Sequence, residues 1–193
     1  MVLSEVINPR LNPLDTPPGR RIGVIGAGGK STLARALAHK HNLEFIEIDS
    51  IQHLPGWQKR SDEEVARIVT EKMASSPDGW VTDHNSTLIP IIFEKADTVI
   101  VLQPQFRYML WRRTKRSLKN AWTGELVCNG NHETFRQHLF SKQSAIYEMW
   151  TLRHRYRNYA DLLTREAPPT INLIILDSAR KIEQFYEAHG LTR

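Results

Sequence analysis

The stretch Arg21–Arg35 constrains the fold of this chain more than any other part of the sequence. A short apolar run, Ile22–Ile25, leads into a glycine-rich segment, and an amphipathic run follows over Leu33–His41. This order predicts a strand, a glycine-rich loop and a helix. Glycines let such a loop turn its N–H groups inward, and the helix terminus adds partial positive charge at the same point. The sequence therefore predicts a phosphate-binding loop formed by Gly26, Ala27, Gly28, Gly29, Lys30, Ser31 and Thr32.

The side chains that follow the glycines predict binding of ATP together with Mg²⁺. Lys30 has the length to reach terminal phosphates, and the Ser31 hydroxyl is a suitable Mg²⁺ ligand. Counted from Gly26, the loop is shorter than a full Walker A motif, and it resembles the shortened P-loop of the Mur ligases, which use ATP. The alternative is a glycine-rich turn between a strand and a helix, with a lysine there by chance.

Length and composition bound the class of protein. A chain of 193 residues suits one domain, and the proline-bearing residues 1–20 read as an extended N-terminal arm before a domain over 21–193. The single cysteine, Cys128, excludes an intrachain disulfide, and no apolar run has the length of a membrane span. We expect a cytoplasmic protein without a membrane partner. Its oligomeric state is left open.

Segments with strand character alternate with helical ones along the chain. We predict four further strands and three main helices: Glu44–Asp49, a helix from the capping box Ser61–Glu64 to about Ser75, Trp80–Asp83, Thr98–Leu102, a basic helix from Phe106 to about Asn120, Ile171–Leu176, and a last helix capped by Ser178. Residues 121–133 read as a loop, and residues 133–163 as largely helical. This alternation predicts an α/β fold whose parallel sheet is covered on both faces.

Two acids follow strands and should meet the loop at the carboxyl edge of that sheet. We predict that Asp83 holds Mg²⁺ opposite Ser31, with a cap for the next segment as the alternative. Asp49 either orients the phosphoryl acceptor and takes its hydroxyl proton, or forms a turn before Ser50.

Positive charge is concentrated in residues 105–157, with 11 lysines and arginines against three acidic residues. Arg112, Arg116 and Lys119 fall on one face of the basic helix. Arginine forks bind the equatorial oxygens of a transferring phosphoryl group, so Arg112 and Arg116 are candidate catalytic residues beside Lys30 and Asp49. The alternatives are a solvated basic face and a nucleic-acid surface, and the latter ranks last.

Several blocks of the chain, over about residues 20–190, resemble the adenylate-kinase-like P-loop proteins often labelled topology modulation or FlaR-like proteins. The main ones are 28–34, Ile48–Trp57, Trp80–Asn85, Ala96–Leu102, Leu110–Arg116 and Asn129–Phe135. The resemblance implies a three-layer P-loop NTPase fold with a five-stranded parallel sheet, a helical lid insertion at about residues 120–145, and the use of ATP and Mg²⁺. The chain departs from the family pattern at His84, Ser86 and Gln103, positions that bear on the acceptor.

Together these features predict an ATP-dependent phosphotransferase of nucleotide-kinase type that acts on a small-molecule acceptor, for example a nucleotide. In the predicted fold Asp49 follows the strand next to the P-loop strand and marks the acceptor side, while Ser178 lies near the adenine. The short P-loop and His84 keep open a second hypothesis, a nucleotide-binding regulatory protein with little turnover.

Overall fold

The computed structural model describes residues 12–26, 28–84, 86–123, 126–127, 131–132 and 159–192. Its strands and helices are, in chain order, β1 (Arg21–Gly26), α1 (Lys30–His41), β2 (Glu44–Glu47), α2 (Ile48–Gln52), α3 (Asp62–Ala74), β3 (Trp80–His84), α4 (Ile89–Lys95), β4 (Thr98–Leu102), α5 (Phe106–Thr123), β5 (Leu126–Val127), β6 (Asn131–His132), α6 (Tyr159–Glu166), β7 (Asn172–Leu176) and α7 (Ala179–Ala188). Two short 3₁₀ turns lie at Pro55–Trp57 and Ser86–Leu88.

Five strands form one parallel sheet in the order β2-β3-β1-β4-β7, and β5 and β6 form a short antiparallel ribbon. The predicted five-stranded parallel α/β fold is therefore confirmed. The predicted position of β2 beside the P-loop strand is wrong, because β3 lies between β2 and β1. Local patterns identify strands, but they carry no information on which strands pair.

Helices cover both faces of the sheet, as the alternation of strands and helices predicts. On one face Leu33 and Leu37 of α1 and Phe185 of α7 pack against the strands. On the other face the buried side chains come from α2, α3, α4 and α6, and they include Val69 and Leu163. The result is three layers with the glycine loop at one edge of the middle layer.

Several elements differ from the predictions, and the predicted loop over residues 121–133 contains the end of α5 and the strands β5 and β6. The helix α1 begins at Lys30, one turn before Leu33. The strand β2 ends at Glu47, so Asp49 lies in the short helix α2 and not at the end of a strand. The helix α4 was not predicted; it has a proline in its first turn, where the missing N–H has no helical partner to lose.

Residues 12–20 of the predicted arm lie against the sheet. The Asn12 amide donates to the Leu173 carbonyl (3.0 Å), the Gly19 amide donates to Thr98 Oγ1 (2.8 Å), and the Trp80 amide donates to the Arg20 carbonyl (2.8 Å). Residues 1–11 and most of the predicted lid lie outside the described residues. Among the described helices, none combines the length and the apolar character that a membrane crossing requires.

Candidate functional site

The glycine loop has the backbone that the sequence predicts for a phosphate-binding turn. Gly26, Gly28 and Gly29 have φ values of +110°, +75° and +114°, a region that side chains rarely adopt. A Cβ at Gly26 would also lie 2.8 Å from the Leu102 carbonyl carbon of the neighbouring strand. Ala27, the remaining residue of the predicted loop, lies outside the described residues.

The amino terminus of α1 opens from this loop. Gly29 is the N-cap residue, and the first helical hydrogen bond runs from the Leu33 amide to the Gly29 carbonyl (3.0 Å). The first turn contains no acidic residue and includes Lys30 and Thr32. This end of the helix therefore favours an anion through both its backbone dipoles and the Lys30 charge.

Ser31 and Asp83, the two predicted metal ligands, are in contact. The Ser31 hydroxyl donates to Oδ2 of Asp83. Because a hydroxyl has one proton and two lone pairs, this bond leaves the Ser31 oxygen able to ligate a cation. The pairing of hydroxyl and carboxylate oxygens suits Mg²⁺, which prefers hard oxygen ligands.

The Asp83 carboxylate is almost fully buried, with 3% of the residue exposed. Its second oxygen, Oδ1, accepts from the Ile48 amide (3.1 Å). Burial raises the pKa of Asp83 above its ordinary value; the Ser31 and Ile48 hydrogen bonds oppose this shift, the nearby Asp49 charge adds to it, and Lys30 opposes it. A cation bound here would therefore stabilise a carboxylate that its surroundings leave poorly solvated.

The described residues offer few protein ligands for a metal in this region. Among the described residues, no group of three or more histidine, cysteine, aspartate or glutamate side chains is arranged to hold a metal ion. A Mg²⁺ ion at Ser31 and Asp83 would take its other ligands from phosphate and water, which is its common mode in phosphate-transferring sites.

Asp49 lies one residue beyond Ile48 in α2 and is half-buried. Its carbonyl accepts from the His53 amide (3.0 Å), and the His53 ring nitrogen Nδ1 lies 3.1 Å from the same oxygen. The structure thus brings Asp49 near Asp83, although Asp49 lies on a helix and beyond the edge strand of the sheet.

The sequence did not lead us to two residues, Arg35 and Glu47, that connect α1 to the carboxyl end of β2. Glu47 at the end of β2 accepts from Arg35 of α1 and from the Ser50 hydroxyl (2.7 Å). One sequence signal pointed to Arg35: it lies one helical turn after Ser31, so both residues are on one face of α1, toward the same strand ends.

The segment after α2 is held in a defined loop. Arg60 donates through Nη1 to the Ile51 carbonyl and through its backbone amide to the Gln52 carbonyl (3.0 Å). The strand β6 contacts the turn Pro55–Trp57, while the Trp57 side chain lies outside the described part of the chain.

Arg112 and Arg116 lie on α5, which confirms the predicted basic helix, but their side chains are outside the described part of the structure. Met109 of this helix adjoins the loop, since a Cβ at Gly28 would lie 3.4 Å from Met109 Cγ. Arg112 and Arg116 follow Met109 by three and seven residues along α5.

Ser178 caps α7, as predicted, by accepting from the Lys181 amide (3.2 Å). It follows β7, at the sheet edge opposite β2. Its predicted place near the adenine stays a prediction.

Comparisons with known proteins bear on the fold. No family model matches the sequence, and no curated protein matches it. A gluconokinase from Sinorhizobium meliloti 1021 is similar in structure, with a TM-score of 0.51 and 19% identity over 89% of each chain. A sugar kinase from Janibacter sp. HTCC2649 aligns with a TM-score of 0.45 and 20% identity over 91% of this chain and 96% of its own. The sheet order and the likeness to the gluconokinase together show that this chain has the α/β fold of the P-loop kinases.

Proposed function

We propose that this protein is an ATP- and Mg²⁺-dependent phosphotransferase of the adenylate-kinase-like class, acting on a small-molecule acceptor. One observation carries the proposal: the Ser31 hydroxyl meets the buried Asp83 carboxylate beside a loop that requires glycine at Gly26. The alternative interpretation, a glycine-rich turn with a lysine there by chance, does not explain why a buried carboxylate lies beside that lysine and serine. A binding site for phosphate and a metal ion explains it.

We assign each residue a role in the proposed reaction. The loop amides and Lys30 would hold the β- and γ-phosphates, and Ser31 and Asp83 would hold the Mg²⁺ that neutralises their charge. Arg112 and Arg116 would stabilise the transferring group from α5. Asp49 would orient the acceptor hydroxyl and accept its proton.

Two classes of small-molecule acceptor are the first to test. The gluconokinase that shares the fold supports testing polyhydroxy acids. The sequence blocks that resemble the topology modulation proteins support testing nucleoside monophosphates. Both carry a hydroxyl or phosphate oxygen that can attack a terminal phosphate in line, so gluconate and AMP are suitable first acceptors.

The test compares the wild type with Lys30→Ala and a matched control, Lys181→Ala. Lys181 of α7 pairs with Asp177, which precedes the helix, and both side chains are exposed. Titration calorimetry with Mg·ATP should show that Lys30→Ala weakens binding at least tenfold, while Lys181→Ala leaves it unchanged. Unchanged affinity in Lys30→Ala would remove the phosphate-site assignment.

ADP release separates the proposal from a regulatory role. We expect gluconate, AMP or a related acceptor to raise ADP release well above the rate with Mg·ATP alone. Tight ATP binding without acceptor-dependent release across the panel would instead favour a nucleotide-binding regulatory protein.

A further inference from the structure

We propose that Asp83 is also the positioning residue of α2, so that one carboxylate connects the predicted nucleotide and metal residues to the acceptor-side residue Asp49. The connection to an acceptor rests on the function proposed above. The positioning contact itself does not, because it lies entirely within the protein.

The contact satisfies a backbone group that α2 cannot satisfy by itself. Ile48 is the first residue of α2, so its amide has no acceptor within the helix. The N-cap residue Glu47 makes no side-chain cap, because its carboxylate is bonded to Arg35 and Ser50. Oδ1 of Asp83, from the neighbouring strand, accepts a hydrogen bond from the Ile48 amide at 3.1 Å.

The register of the sheet explains why Asp83 can accept from the Ile48 amide. Asp83 is paired with Glu47 on one side and with Val24 of β1 on the other. The chain leaves the sheet directly after Glu47, and the Ile48 amide is the next donor along it. A carboxylate at this one position can therefore reach toward the P-loop with Oδ2 and toward α2 with Oδ1.

The helix α2 depends on such contacts because it has only five residues. A helix of this length is not stable by itself in water. Arg60 ties its carboxyl end to the following loop through the Ile51 and Gln52 carbonyls. Asp83 ties its amino end to Ser31, and Asp49 lies between the two anchors.

Three variants separate positioning from charge. Asp83→Asn keeps a carbonyl oxygen that can accept from Ile48 but loses the charge that a metal needs. Asp83→Ala loses both. Thr82→Val is the matched control: it is the adjacent buried residue of β3, and its hydroxyl has no hydrogen-bond partner among the described residues.

Amide hydrogen exchange, followed by NMR without nucleotide and normalised to the Val101 amide, measures the effect. We expect Asp83→Ala to speed exchange at Ile48 by about 10- to 100-fold, as for loss of a hydrogen bond to a charged group. Asp83→Asn should speed exchange by only about fivefold, because it keeps a bond to a neutral acceptor that is about 1 kcal/mol weaker, and Thr82→Val should stay within about threefold of the wild type. Unchanged exchange in Asp83→Ala, or equal acceleration in Asp83→Asn, overturns the proposal.

A second measurement needs no variant, which matters if Asp83→Ala does not fold. A scalar coupling across the hydrogen bond, from the Ile48 nitrogen to the Asp83 carboxyl carbon, should be detectable in the wild type. Its absence, with such couplings visible between paired strands, overturns the positioning role.

The link to the nucleotide site is tested with Mg·ADP as the probe. Binding should shift the amide resonances of Gly28, Gly29 and Ile48 in the wild type and in Thr82→Val, and the Ile48 shift should be lost in Asp83→Ala. Shifts at the two glycines without one at Ile48 overturn the link. No shift at any of the three removes the proposed function and the link with it, while the wild-type scalar coupling still decides the positioning role.

Discussion

Replacing Gly26 by alanine should destabilise this protein more than the same change at a glycine with a comparable backbone but open surroundings. Gly26 combines a φ of +110° with the close approach of Leu102. A non-glycine residue in such a backbone region costs about 1–3 kcal/mol. The new Cβ would also lie 2.8 Å from the Leu102 carbonyl carbon and closer still to its oxygen, so β1 or β4 must shift. Overpacking of this kind costs about 1–3 kcal/mol more.

Gly56 provides the matched control. It has a φ of +75°, and a Cβ there would meet no atom of the described residues within 4 Å. Gly56→Ala should therefore cost only the backbone contribution, about 1–2 kcal/mol. Both substitutions reduce the conformational entropy of the unfolded chain equally, so this effect on the free energy of unfolding cancels when the two variants are compared.

Urea unfolding of the two variants and the wild type measures the difference directly. We expect Gly26→Ala to lose about 2–6 kcal/mol, a large share of the about 5–15 kcal/mol that a domain has in total. A Gly26→Ala protein that does not fold, where Gly56→Ala folds, is the upper end of this expectation. A loss at Gly26 no larger than that at Gly56 would refute the argument that the strand β4 requires glycine there.

Four further predictions concern the site. Because burial raises the pKa of Asp83, the folded state holds its proton more tightly than the unfolded state, and stability falls as the pH rises through that pKa. Thermal melts from pH 4 to pH 8 should show this loss of stability in the wild type and not in Asp83→Asn. The same dependence of the melting temperature on pH in both proteins would contradict the prediction. The same variant should lose Mg²⁺-dependent ADP release by orders of magnitude. Arg116→Ala should lower kcat more than ATP affinity, since Arg116 is proposed to stabilise negative charge that develops in the transition state. If the control Lys181→Ala has equal effects, the basic residues of α5 form only a solvated face. Asp49→Asn should spare ATP affinity in calorimetry and reduce acceptor-dependent ADP release; a matching loss of ATP affinity would mean that the acceptor binds elsewhere.

The local parts of this structure could be predicted from the sequence because their causes are local. The glycine loop follows from the backbone angles that only glycine adopts readily, and the helix caps at Ser61 and Ser178 follow from hydroxyls that accept from nearby amides. The strand over Thr98–Leu102 has the predicted bounds, because an uninterrupted β-branched run before a proline has few other conformations open to it.

The candidate site was predictable only in part. Ser31 and Asp83 were expected to meet, because the carboxyl ends of parallel strands share one edge, and the structure brings them into contact. The Glu47–Arg35 pair was not foreseen, because the spacing of Ser31 and Arg35 on α1 indicates only the face on which Arg35 lies, and no local pattern identifies Glu47 as its partner. The predicted functions of Arg112 and Arg116 stay predictions, since their side chains are outside the described part of the structure.

The sequence by itself determined the five strands of the sheet, the helices α1, α3, α5 and α7, and the glycine-rich loop that joins β1 to α1. Only the tertiary structure decided that β3 lies between β1 and β2, and hence that Asp83 stands between Ser31 and Ile48. The physical reason is that strand order results from the packing of whole faces across the sheet, between residues far apart in the chain. A carboxylate that accepts from both the P-loop helix and α2 exists only once that order is set.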